Sequence, residues 1–90
     1  MSTALFALGR TVITRAANDA LHPEDVKMSL DRHSNGDWGE LDPHDLRENE
    51  VGLAQGLRLF SVYHDRGGIK FYIITEHDRS VTTVLLPEDY

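Results

Sequence analysis

The chain has 90 residues, nine Lys and Arg against fifteen Asp and Glu, a formal net charge of −6, and no cysteine. The missing cysteines exclude thiolate metal sites, iron–sulfur clusters and a thiol nucleophile, and point to a reducing compartment. The acidic balance argues against direct nucleic-acid binding, which needs a basic face.

The predicted elements follow in chain order. A strand is expected at 9–13, after Gly9. Thr14 caps a short helix over 15–21, which His22-Pro23 ends. Pro23 opens a second helix, with Glu24 and Asp25 at its positive end. Val26 and Leu30, with Met28 or His33, supply its inward face, and Gly36 stops it. Asp37-Trp38-Gly39-Glu40-Leu41 reads as a loop. Asp42 caps a third helix with Pro43 at its first position; Leu46, Leu53 and Ala54 form its stripe, and Gly56 ends it. Asn49, on that helix, is expected to bond to loop backbone near 37–40.

The last third changes period. Residues 57–63, 69–75 and 80–86 are rich in β-branched and aromatic side chains, joined by connectors of hairpin length. The expected fold is a single α+β domain over 1–90, with three short helices packed on one face of an antiparallel sheet of three to four strands. The 24 Leu, Ile, Val and Phe residues suffice for one core. No apolar run approaches the roughly 20 residues of a membrane span. MSTALFALGR lacks a basic leader, so a cytoplasmic protein is expected. A strand edge at 80–86 or 9–13 would allow a homodimer; otherwise the chain is a monomer.

Neither a P-loop nor a G-x-G-x-x-G pattern occurs, and no cofactor is expected. His33, Asp37, Glu40, Asp42, His44 and Asp45 crowd thirteen residues, but their spacing matches no metal site. Charge is concentrated in residues 19–50, which hold ten acids and three Lys or Arg. Such a block suits docking on a basic surface of a host protein that handles nucleic acid, the carboxylates imitating phosphate charge. The binding residues expected for that role are Asp37, Trp38, Glu40, Asp42 and Asp45. Trp38 serves either as a lid over the core or as an apolar interface anchor ringed by these acids.

Several segments together resemble a known family: Arg32-His33-Ser34-Asn35-Gly36-Asp37-Trp38-Gly39-Glu40-Leu41, Arg47-Glu48-Asn49-Glu50, Ile74-Thr75-Glu76, Asp78-Arg79-Ser80 with Thr82-Thr83, and Leu85-Leu86-Pro87-Glu88-Asp89-Tyr90. The family comprises short bacterial "plasmid-related" proteins of mobile elements, often labelled type I restriction subunit M-like. The resemblance implies a mobile-element protein without a settled activity. It implies no methyltransferase, because the chain is too short for an S-adenosylmethionine fold and lacks N-P-P-[FY]. A fainter resemblance, to small ribonucleases and toxins of the barnase, colicin and RelE type, implies a metal-independent ribonuclease. There His33 would be the base, Arg79 the phosphate clamp, and Thr82 or Thr83 the orienting hydroxyl.

Overall fold

A computed structural model describes residues 4–90. Residues 1–3, the start of the segment read as lacking a secretion leader, lie outside the described residues. The elements are β1 (Arg10–Ile13), α1 (Arg15–Ala20), α2 (Pro23–Ser34), α3 (Pro43–Gln55), β2 (Leu59–His64), β3 (Lys70–Thr75), β4 (Val81–Leu85) and a 3₁₀ turn, Pro87–Asp89.

Local chemistry sets the helix ends. The Thr14 hydroxyl accepts the Ala17 amide at 3.2 Å, and the Asp42 carboxylate accepts the Asp45 amide at 2.8 Å. Both satisfy amides that have no partner in a first turn. Gly56 ends α3 in the left-handed region at φ 68°.

The four strands form one sheet in the order β1-β4-β3-β2. The last three make the expected antiparallel meander. β1 extends it, but runs parallel to β4. The sheet is therefore mixed, not antiparallel throughout. Because β1 lies outside β4, residues 80–86 are interior and do not form an edge. A long connection containing three helices separates β1 from β4, which permits the parallel pairing.

Strand alternation divides the sheet into two faces. Leu59, Ser61, Tyr63, Phe71, Ile73, Thr75, Thr82 and Val84 lie on the face that α1 and α2 cover, and all are buried. Ala17, Leu21, Tyr63, Phe71, Ile73, Val84 and Leu86 form the apolar core, with Val26 and Leu30 packed against it. On α2 the inward position falls to His33, and Met28 is exposed.

α3 meets the sheet along β2, so its contact residues differ from the expected stripe. Asn49 and Gly52 are buried, whereas Leu46 and Ala54 are exposed. The Asn49 amide pairs with the Phe60 backbone instead of the 37–40 loop. At Gly52 a Cβ would approach the Arg58 carbonyl at 3.1 Å, so the helix comes close only because this residue is small. No helix among the described residues is long and apolar enough to cross a membrane.

Candidate functional site

The residues nominated for nucleolytic chemistry divide between interior and surface. His33 is fully buried. Phe6 and Trp38 flank its ring edge-on, with centroids at 5.3 and 5.4 Å. Its Nδ1 lies 2.5 Å from the Ser61 hydroxyl and its Nε2 2.9 Å from the Thr75 hydroxyl. Thr75 in turn lies 2.7 Å from Thr82, whose hydroxyl donates to the Leu8 carbonyl at 2.7 Å.

Counting protons fixes the direction of this chain. Thr82 spends its single proton on Leu8, so it accepts from Thr75. Thr75 then accepts from His33 Nε2–H, and His33 Nδ1 accepts from Ser61. The imidazole is held neutral as the Nε2–H tautomer. Burial, followed by the charge of Arg79, lowers its pKa to about 4.

Arg79 is committed elsewhere. It donates to the carbonyls of Leu57, Gly52 and Glu76 at 2.5, 3.0 and 3.1 Å, and sits over the Phe6 ring at 5.6 Å. Thr83 pairs in register with Ile74 and lies on the opposite sheet face from Thr82. His33, Arg79, Thr82 and Thr83 therefore do not share one cleft, and the ribonuclease assignment fails on geometry. His33 reaches no solvent, and Arg79 already serves backbone acceptors.

The acidic residues also separate. Arg32 holds Asp37 through two bonds of 2.7 and 3.2 Å, and this contact keeps the Asp37 carboxyl below its ordinary range. Glu40 meets His64 Nδ1 at 2.6 Å. Asp42 is the α3 cap. Trp38 is only 6% exposed and stacks on Phe6 at 6.0 Å, so the indole is a core lid, not a surface anchor. Gly39 completes this loop at φ 74°, where a Cβ would overlap the Val62 carbonyl. The GDWG segment thus has a packing role. Among the described residues, no group of three or more His, Asp or Glu side chains gathers to hold a metal.

Asp45, of the five, lines a groove. It is half-buried at the α3 end of the second sheet face, the one that α1 and α2 leave open. Arg58, Phe60, Tyr72, Ile74 and Tyr90 complete this groove of about 220 Å³. Phe60 and Tyr72 lie 4.9 Å apart, and Tyr90 stands edge-on to Tyr72 at 6.0 Å. Tyr90 is 71% exposed. Beyond it a second groove of about 350 Å³ runs past Glu76, Thr83, Leu85 and Asp89. Arg58 pairs with Glu76 at 3.5 Å between the two.

Aromatic walls with a carboxylate at one end suit a long cationic side chain, with Arg58 turned to Glu76 at 3.5 Å and Lys70 already 5.9 Å from the Tyr72 ring centre. The rings receive the stem and attract the charge, and the carboxylate takes the head group. Sequence reading missed Phe60, Tyr72 and Tyr90 as site residues. The signal was present: β2 and β3 are apolar at both odd and even positions, more than one covered face requires. Comparison with protein-family models, curated proteins and solved structures gives no match.

Proposed function

We propose that this chain is a non-enzymatic binding module that docks on a basic surface of a host protein that handles nucleic acid. The observation that carries this reading is the groove where Asp45 meets Phe60, Tyr72 and Tyr90. A lysine or arginine of the partner enters there. Asp42, the α3 cap, and Glu48, 3.7 Å from His44, lie one turn to either side of Asp45 and extend the negative shoulder. Asp37 and Glu40, already paired with Arg32 and His64, contribute less. Acidic shoulders of this kind speed encounter with basic surfaces and repel nucleic acid itself. The resemblance to plasmid-related proteins supports a partner in the host of a mobile element.

An arginine-rich peptide, its glutamate-substituted counterpart and duplex DNA serve as probes in a titration followed by NMR. The arginine peptide shifts the Tyr72 and Tyr90 ring signals, Asp45→Asn and Tyr72→Ala abolish the shift, and the other probes leave it unchanged. Binding weakens at 1 M salt, where the Debye length shrinks to roughly 3 Å. Unmoved tyrosine signals, or a stronger response to DNA, overturn the reading.

A further inference from the structure

The two outer edges of the sheet differ. Along β2, the Phe60 amide and carbonyl are taken by the Asn49 side chain. The Val62 amide donates to the Trp38 carbonyl at 3.2 Å, and the Val62 carbonyl accepts the Glu40 amide at 2.8 Å. This edge is closed by its own chain.

Along β1 the opposite holds. The amides of Arg10 and Thr14 donate inward, to Ser80 and Val84 at 2.9 and 3.0 Å. Backbone alternation then turns the amides and carbonyls of Thr11 and Ile13 outward. None of the four residues of β1 is buried, and Ile13 is 38% exposed. Beneath this edge lies an apolar groove of about 260 Å³ between β1 and the helices, lined by Ile13, Leu21, Val26, Leu30 and Val84 among others.

We infer that β1 pairs antiparallel with β1 of a second copy about a two-fold axis through Val12. Only odd residues carry outward groups, so the ladder forms between Thr11 of one copy and Ile13 of the other, twice. On the helix-covered face, the two side chains of each such pair meet beside the apolar groove. On the open face, Val12 meets Val12, and Arg10 falls opposite Thr14. The Thr14 hydroxyl donates to Asp89 at 2.7 Å, so a carboxylate waits where Arg10 of the other copy arrives. Arg10 has no ion-pair partner within its own chain among the described residues. The register thus matches hydrogen bonds, apolar side chains and charge at once, and brings no like charges directly opposite one another. A parallel pairing in matched register would instead stack Arg10 on Arg10. The inference is independent of the aromatic groove.

Sedimentation velocity over a concentration series tests it, with the wild-type chain, Thr11→Pro and Arg10→Glu. Proline at 11 removes an outward donor and leaves the β1–β4 ladder intact. The wild type moves from 10.2 kDa to twice that mass as concentration rises. Thr11→Pro stays monomeric while its far-UV spectrum is retained. Arg10→Glu, a surface change that does not threaten folding, weakens the dimer at least about tenfold at low salt. Hydrogen exchange at the Thr11 and Ile13 amides slows on dimerisation. A monomer at every concentration, which would leave the edge to some other strand, overturns the inference. So does a dimer untouched by both substitutions, which would place the interface elsewhere.

Discussion

Asn49 binds both backbone groups of Phe60: its side-chain nitrogen donates to the carbonyl at 2.5 Å and its oxygen accepts the amide at 3.1 Å. A side-chain amide on a helix thereby takes the place of a neighbouring strand. Asn49→Ala leaves two backbone groups beneath α3 without partners and lowers stability by about 2–3 kcal/mol. Asn49→Asp does not rescue, because a carboxylate faces the Phe60 carbonyl. Urea unfolding measures the loss, and faster hydrogen exchange at the Phe60 amide localises it.

The buried imidazole makes stability depend on pH. The unfolded chain protonates His33 near 6.5, the folded chain only near 4. Between these values the unfolded state holds more protons, so stability is fully present above 6.5 and declines as pH falls toward 4. The total loss is about 3 kcal/mol. Urea midpoints at pH 7.5, 6 and 5 record the decline in the wild type. In His33→Asn the midpoint is lower at pH 7.5 and changes far less over the same interval.

Trp38 is the sole tryptophan, and its burial gives a direct optical test. Its emission is blue-shifted in the native protein and resists quenching by iodide, and docking of a basic peptide leaves it unchanged. Trp38→Ala opens a cavity next to Phe6 and His33 and costs about 3–5 kcal/mol. Trp38→Phe costs less. An emission maximum close to that of the unfolded chain would show that the indole is not a lid.

Arg79 ties the β3–β4 turn to the C-terminal end of α3 through the Gly52 and Leu57 carbonyls, and braces the turn itself through the Glu76 carbonyl. A cation at that helix end also meets the negative pole of the helix dipole. Arg79 itself sits at φ 61°, a conformation that side chains rarely take. Arg79→Gly relieves the backbone and removes the bonds, whereas Arg79→Ala removes the bonds alone. Both lose stability, by about 2 kcal/mol for alanine and less for glycine. Thermal unfolding of the two variants separates the contributions.

The local parts of the fold were legible because their causes are local. Asp42-Pro43 and Thr14 announce helix starts through capping chemistry that needs no distant residue. The three late strands show in β-branched and aromatic runs. The place of β1 was not legible, since a four-residue strand carries no information about which neighbour it pairs with, or in which direction. Val26, Leu30 and His33 do follow helical spacing, so His33 facing inward was open to view. Its partners Ser61 and Thr75 are 28 and 42 residues away and were not. The pairing within the charge block was hidden for a related reason. Its acids take arginines from inside and outside the run: Arg32 holds Asp37 at 2.7 Å, and Arg66 takes Asp25 at 2.9 Å and pulls its pKa down to about 2.

The closed rim at β2 limits how such molecules can aggregate. Fibre growth by main-chain pairing needs two free rims on every unit, one to receive and one to offer. Among the described residues, Asn49 and the 38–40 segment leave a single free rim. Joining two chains uses it up, and polymerisation halts after its first step.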